Sequence, residues 1–194
     1  MNPSVPAKTT QELIALAKSS PGKLNFATPG QGGITHLATE LFATMAGIKM
    51  NHIPYKGTGP ALTDTIAGQT DLYFSSMAAA LPYVKSGRLR ALAVTTPKRL
   101  PSAPDIPTVA ESGVPGYEAI TWHGLIGPKG LPSPIVARIN SEVTKLLELK
   151  ETAERLQNDG VLPAGGTPEQ FLATIKKEIQ VWRTVVSEVG IKAE

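Results

Sequence analysis

Two segments near the start of the chain share one local pattern: a short apolar strand, a glycine-rich turn and the beginning of a helix. The first covers residues 24–36, with glycines at positions 30, 32 and 33, and the second covers residues 52–61, with glycines at 57 and 59. The first N–H groups of a helix have no partner within the helix, and the helix dipole adds partial positive charge there. Two such helix starts close together predict a site for a small anion, such as a carboxylate.

Neither turn has the glycine spacing of a phosphate-binding fingerprint. The chain has no Gly-x-x-x-x-Gly-Lys-Ser/Thr segment at these turns, and glycines at 30, 32 and 33 do not fit Gly-x-Gly-x-x-Gly. On the residues alone, a tight connection between strand and helix that binds nothing remains an equal interpretation of the first turn.

Residues 9–95 show strands that alternate with helices. Turn residues and apolar periodicity predict helices over 11–18, 34–45, 60–67 and 78–86, and strands over 24–28, 52–55, 71–74 and 89–95. This order predicts right-handed βαβ crossovers and a largely parallel sheet, which is an α/β fold. Ligands of such sheets bind outside the carboxyl ends of the strands, where both glycine turns lie.

The pattern changes after Thr95. Residues 97–115 contain five prolines, which predict a wrapping connection with a short helix within 104–111. Residues 119–126 are strand-like, and helices are predicted over 133–149, over 150–159 and from a capped start at 165–169 to residue 189. These helices need a flat surface to cover, which is either the first half of the chain or a second sheet that is mostly missing.

The composition excludes several classes of function. The chain has no cysteine, so it has no disulfide, no cysteine-based zinc site and no thiol nucleophile. A Lys/Arg block is missing and only 5% of residues are aromatic, which argues against nucleic acid as a partner. His36, His52 and His123 lack metal-ligand spacing and are expected to be structural, and no Gly-x-Ser-x-Gly nucleophile motif occurs. We therefore predict that the protein binds no metal and no cofactor and is not an enzyme.

The sequence shows neither an apolar run that would span a membrane nor a secretory signal. No apolar run approaches the roughly 20 residues that span a bilayer. Residues 1–6 lack the basic and apolar regions of a secretory signal, so the sequence as written predicts no signal peptide.

Eight short phrases occur in one order along the chain. They are PGKLNF at 21–26, GG at 32–33 before HLATELF at 36–42, PYKG at 54–57, ALTD at 61–64, GQTD at 68–71, GRLRALAV at 87–94, PTVAESG at 107–113 and WHGL at 122–125. In this order, and essentially from end to end, the sequence resembles the Bug family, the TctC-like extracytoplasmic solute receptors of tripartite tricarboxylate transporters.

The resemblance implies a fold like that of a two-lobed, type II periplasmic binding protein, which closes on a small carboxylated solute and passes it to membrane components of a transporter. It also implies a periplasmic location. A family member opens with an export signal and the first βα segment of lobe one, so we expect this sequence to lack roughly the first third of such a protein. Residues 8–95 would then form lobe two as a complete βαβ lobe. Residues 96–194 would be the returning helical part of an incomplete lobe one, without its leading strands.

With the resemblance, binding becomes the favoured interpretation of the first turn. The N–H groups of residues 31–34, together with a hydroxyl from Thr28 or Thr35, are expected to hold one carboxylate. The candidate residues of this turn are Thr28, Gln31, Gly32, Gly33, Ile34 and Thr35.

The second turn is expected to hold the same carboxylate or a second one through the N–H groups of residues 57–59 and the hydroxyl of Thr58. Tyr55 is expected to pack at the wall of the site. Lys56 either neutralises ligand charge or lies on the surface in solvent. The candidate residues of this turn are Tyr55, Lys56, Gly57, Thr58 and Gly59.

Three further residues are candidates at the third predicted strand. Asp71, at its start, either orients a ligand hydroxyl or amine or, as the favoured interpretation, holds a neighbouring turn. Ser75 and Ser76, which follow the strand, are secondary candidates at the same end as the glycine turns.

Two other classes of function remain open. A non-binding fragment could act as an interaction module, because missing strands would leave an open sheet edge that recruits a second copy and gives a homodimer. An enzyme that acts on a small anion is the least favoured, because no pair of nucleophile and base stands out.

Overall fold

The structure is a computed structural model that describes residues 1–191, so the last three residues of the predicted segment 96–194 lie outside the described residues. Within this range one sheet of three parallel strands has the order β2-β1-β3, which confirms the predicted α/β fold. The elements are α1 (Thr10–Ser19), β1 (Asn25–Thr28), α2 (Ile34–Ala46), β2 (Asn51–Pro54), α3 (Thr58–Ala67), β3 (Leu72–Tyr73), α4 (Met77–Lys85), α5 (Ser133–Glu148), α6 (Lys150–Asn158) and α7 (Pro168–Val189).

Apart from the short helix within 104–111, the predicted helices form within about two or three residues of the predicted bounds. The hydroxyl of Thr9 accepts a hydrogen bond from the N–H of Glu12 and caps the start of α1. Gly47 and Gly68 end α2 and α3 in the left-handed conformation, with φ of 63° and 80°, which glycine adopts without a steric penalty. The ends of the helices thus follow from local chemistry.

The backbone forms two compact units, one of residues 1–120 with residues 185–191, and one of Thr121–Thr184. The first unit holds the sheet, and its core includes Phe26 of β1 and Phe42 of α2. Tyr117 packs edge-on against Phe42 with ring centroids 6.1 Å apart, and its hydroxyl donates to the carbonyl oxygen of Ala38 over 2.9 Å. Leu100, Val109 and Val114 of the proline-rich segment are also buried, so this segment is part of the core of the first unit. The predicted lobe boundary between residues 95 and 96 remains a prediction.

The predicted fourth strand over 89–95 is wrong. A strand needs one partner that offers a continuous row of backbone groups, and this segment changes partner every few residues. The N–H of Arg90 donates to Met1, that of Val94 donates to Pro107, and Val94 forms only an isolated bridge with Thr108. These scattered bonds satisfy the backbone without a ladder.

Two more predicted elements are wrong for related reasons. Residues 104–111 form turns instead of a helix, because Pro104 and Pro107 remove backbone donors there. Thr108 and Glu111 still exchange the bonds of a capping box, at 2.8 and 3.0 Å, which explains the helix signal. Residues 119–126 form no strand, because no strand of the described chain pairs with them; from residue 121 onward they are exposed.

The helices of the second unit carry many exposed apolar side chains, including Ile135, Ile139 and Leu146 on α5 and Leu172 on α7. Among the described residues, no helix is both long enough and apolar enough to cross a membrane.

Candidate functional site

The two glycine turns lie side by side at the carboxyl ends of β1 and β2. The N–H of Tyr55 donates to the carbonyl oxygen of Thr28 over 2.9 Å, directly beyond the last pair of the ladder. The N–H of Gly57 donates to the carbonyl oxygen of Pro29, also over 2.9 Å. The structure therefore brings the candidate residues of both turns to one edge of the sheet.

The N-terminus of α2 is open toward this edge. Gly33 is its N-cap, and within residues 1–191 no side chain caps it. The N–H groups of Ile34 and Thr35 stand at the first two helical positions, where the helix itself offers no acceptor. The hydroxyl oxygen of Thr35 is buried and has no hydrogen-bond partner in the described part of the chain. A buried hydroxyl without a partner costs about 1–3 kcal/mol, so this atom is a natural contact for a bound ligand or water.

The N-terminus of α3 has the same character. Its N-cap, Gly57, has φ of 112° and ψ of 173°, and no side chain of the described residues caps this helix either. The first two helical positions are Thr58 and Gly59, both exposed, and Pro60 at the third has no N–H to offer. The donors at this end are thus the N–H groups of Thr58 and Gly59.

Three of the predicted ligand donors already have partners inside the protein. The N–H of Gly32 donates to Nδ1 of His36 over 3.1 Å, and the N–H of Gly57 is engaged by Pro29. The hydroxyl of Thr28 is fully buried and donates to the carbonyl oxygen of Gly30 over 3.0 Å. These groups shape the turns, and a ligand would have to displace an internal bond to use them. The side chain of Gln31, at the tip of the first turn, is exposed.

Tyr55 and Lys56 lie at the second turn. The hydroxyl of Tyr55 donates to Oδ2 of Asp64 on α3 over 2.9 Å. The pKa of Tyr55 is raised, first by burial and then by the hydrogen bond to Asp64 and its charge. Lys56 is exposed. Tyr55 thus braces the turn against α3.

The structure does not bring Asp71 together with the two turns. Its carboxylate oxygen Oδ2 accepts from the N–H of Asn25 over 2.7 Å, at the amino end of β1. The turns follow the opposite ends of the strands, so this carboxylate cannot reach a ligand held there. Its position matches the favoured interpretation, in which Asp71 holds neighbouring backbone.

The carboxyl end of β3 adds Ser75 to this edge. Its hydroxyl is buried and has no hydrogen-bond partner among residues 1–191, like that of Thr35. Ser76 instead caps α4, because its hydroxyl accepts from the N–H of Ala79 over 3.4 Å. Ser75 is therefore the stronger of the two secondary candidates.

Two histidines that sequence reasoning treated as structural lie beneath the first turn. The rings of His36 and His52 stack with centroids 3.8 Å apart, and Phe26 stacks on His52 at 5.0 Å. Burial, and then the neighbouring His36, lower the pKa of His52 to about 4, against an opposing effect of Glu40. No cluster of three metal-ligating side chains occurs in the described chain. In the sequence, the one signal of the contact between His36 and the first turn was its four-residue spacing from Gly32, which puts the imidazole one helical turn beyond the glycine.

One family of known proteins matches nearly the whole chain. The family described as "Tripartite tricarboxylate transporter family receptor" (TctC) matches residues 1–191. Protein BugT of Bordetella pertussis is 38% identical over 191 residues, which are 98% of this chain and 59% of that protein. A UPF0065 protein in the tcbD-tcbE intergenic region of Pseudomonas sp. (strain P51) is 38% identical over 183 residues, or 94% of this chain and 54% of that protein. The chain thus spans between half and three fifths of these two relatives.

Solved structures give the same assignment. R. palustris Rpa4515, solved with adipate, has a TM-score of 0.90 and 36% identity, over 98% of this chain and 64% of that one. MatC (Rpa3494) from Rhodopseudomonas palustris, with bound malate, has a TM-score of 0.78 and 31% identity, over 93% of this chain and 63% of that one. The periplasmic binding protein BugD has a TM-score of 0.81 and 30% identity, over 100% and 65%.

The matching family is one of receptors, which agrees with the prediction that the chain is a binding protein and not an enzyme. The match over residues 1–191, the sequence relatives and the shared fold lead to one conclusion: the chain belongs to the TctC family of tripartite tricarboxylate transporter receptors.

Proposed function

We propose that this chain supplies one side of a solute receptor site and binds a small carboxylate at the paired N-termini of α2 and α3. The observation that carries the proposal is the pair of helix starts, free of side-chain caps from the described residues and held side by side by the bond from Gly57 to Pro29. Adipate and malate in two related structures support the class of ligand.

The donor set suits a carboxylate. Four N–H groups, those of Ile34, Thr35, Thr58 and Gly59, can surround an anion whose two oxygens accept about four hydrogen bonds. Hydrogen bonds to a charged acceptor are about twice as strong as neutral ones, and helix N-termini add favourable potential. Ordered water can bridge the donors that the ligand does not reach.

Isothermal titration calorimetry on the chain tests this directly. Adipate and malate are titrated beside adipamide, the neutral diamide of adipate, which keeps the length of the chain but loses both charges. We expect heat of binding from at least one dicarboxylate and none from the diamide. Equal binding of adipate and adipamide would contradict recognition through carboxylate charge.

The cellular role follows as a further part of the proposal. We propose that the receptor works in the periplasm and hands its solute to the membrane components of a tripartite transporter; the family description and the periplasmic relatives support this. Immunoblots of periplasmic and cytoplasmic fractions from the native cell test the location. A signal confined to the cytoplasm would contradict it.

Self-association through an exposed sheet edge is the second candidate function. β2 is an outer strand in the order β2-β1-β3, so one of its sides is free of a partner strand within residues 1–191. It has four residues and ends in Pro54, features that limit edge pairing. Multi-angle light scattering decides: a monomer at high concentration would exclude the homodimer.

A further inference from the structure

Both stacked histidines make a hydrogen bond to the first turn. Nδ1 of His36 accepts from the N–H of Gly32, in the middle of the turn, over 3.1 Å. Nε2 of His52 lies 2.6 Å from the hydroxyl oxygen of Thr28, where the turn begins. One ring stack therefore holds the turn at two points, Thr28 and Gly32.

The hydrogen-bond partners determine which ring nitrogens carry protons. The single hydroxyl proton of Thr28 goes to the carbonyl oxygen of Gly30, so Nε2 of His52 is the donor in its contact with Thr28. Nδ1 of His36 must keep its lone pair to accept from Gly32, so a neutral His36 carries its proton on Nε2. A second proton on His36 would occupy the lone pair that Gly32 needs.

We propose that His36 and His52 are positioning residues of the anion site, and that they hold the first turn in its binding geometry only while His36 is neutral. The consequence for binding rests on the proposed function, whereas the hydrogen bonds of the turn do not. Protonation of His36 would set its Nδ1–H against the N–H of Gly32 and force the turn to move.

Neighbouring charges affect how readily the two stacked imidazoles take up protons. Oε1 of Glu40, one turn along α2, lies 3.5 Å from Nε2 of His36 and would stabilise a positive ring. A second positive ring stacked at 3.8 Å would oppose it. Within the described residues, His36 and Glu40 on α2 are the titratable groups that face His52, and β1 presents the uncharged Phe26 and Thr28. Burial lowers the pKa of His52 to about 4, so the ring of His52 stays neutral over most of the range between pH 8 and pH 5.

The pH response of binding separates this proposal from a simple charge effect. A positive imidazole that merely attracted the anion would tighten carboxylate binding as pH falls. Loss of the turn geometry instead weakens carboxylate binding. The apparent Kd rises as the fraction of molecules with the turn in its binding geometry falls, by up to about tenfold per pH unit.

The experiment compares the chain with two variants between pH 8 and pH 5, the range in which histidine changes charge. Backbone amide shifts are followed by NMR, and the Kd for adipate by calorimetry. His36→Gln keeps an acceptor for Gly32 that cannot take up a proton, and His36→Leu removes the acceptor. Because adipate itself takes up protons toward low pH, His36→Gln with the same ligand is the matched control.

The proposal predicts a shift of the Gly32 amide that titrates in the parent chain and is flat in His36→Gln. It also predicts an adipate Kd that rises about tenfold more toward pH 5 in the parent chain than in His36→Gln, and weak binding at every pH in His36→Leu. A Gly32 amide that does not titrate in the parent chain would overturn the proposal, even if adipate binds. A titrating Gly32 amide without any adipate binding would support the role of His36 in holding the first turn and overturn the proposed function.

Discussion

The N–H of Gly57 donates to the carbonyl oxygen of Pro29 over 2.9 Å, and this bond joins the two turns of the site beside the bond from Tyr55 to Thr28. Gly57 is also the N-cap of α3 and has φ of 112°. The residue that aligns one helix start with the other is thus in a conformation that few residues other than glycine adopt.

Gly57→Ala should destabilise the protein and weaken carboxylate binding together. Backbone strain in this region costs about 1–3 kcal/mol, and relief of the strain would move the N–H away from Pro29. Gly59→Ala is the matched control, because a Cβ there meets no atom of the described residues within 4 Å and no positive φ is required. Urea unfolding and calorimetry measure both effects. Equal losses in the two variants would contradict the role of the Gly57 conformation.

Thr35→Val should leave stability unchanged or raise it, and should weaken carboxylate binding about tenfold, since a hydrogen bond to a charged group contributes about 1.5–3 kcal/mol. The stability forecast follows because the buried hydroxyl has no partner to lose among residues 1–191.

The control for Thr35 is Thr10→Val, which removes another hydroxyl that is buried without a partner in the described chain but lies outside both turns. It should leave the Kd unchanged. If both variants bind adipate like the parent chain, the hydroxyl of Thr35 has no part in the site.

Asp71→Ala should lower stability by about 2 kcal/mol without a change in the Kd for the carboxylate. The substitution leaves the N–H of Asn25 without its charged acceptor. Thermal unfolding and calorimetry on the same preparation give both numbers. A weaker Kd with unchanged stability would return Asp71 to the ligand site.

Stability should fall as the pH falls from about 6.5 toward 4, because of His52. Its pKa is lowered in the folded protein to about 4 from the ordinary value of 6.5, mainly by burial. Between these values the unfolded chain binds more protons, so protonation favours unfolding, by about 1–2 kcal/mol once solvent screening is allowed for. Denaturant unfolding at several pH values, with the His52 resonance followed by NMR, measures it. A His52 that titrates near 6.5 would contradict this forecast.

Local chemistry explains why α2 and α3 could be predicted from the sequence. Each of these helices begins directly after a glycine and ends directly before one. The glycines precede Ile34 and Thr58 and follow Ala46 and Ala67. The alternation of strand and helix then places both turns at the carboxyl ends of a parallel sheet. The predicted site therefore depended on short-range signals.

Long-range partners explain what the sequence could not predict. Residues 89–95 are apolar enough for a strand, but their backbone partners lie at Met1 and Pro107, far away in sequence. The bonds from His36 and His52 to the first turn depend on the register that sets Phe26 opposite His52. The acceptor of the Gly57 N–H, Pro29, lies far away in sequence, so this group looked like a free donor; for Gly32 the four-residue spacing to His36 was the one local signal.

The most direct test of the paired helix starts is the set of backbone amide shifts of the ¹⁵N-labelled chain during titration with adipate. The account predicts saturable changes centred on Ile34, Thr35, Thr58 and Gly59, with adipamide causing none. Saturable adipate binding that leaves these four amides unchanged, and shifts a different part of the chain, would contradict it.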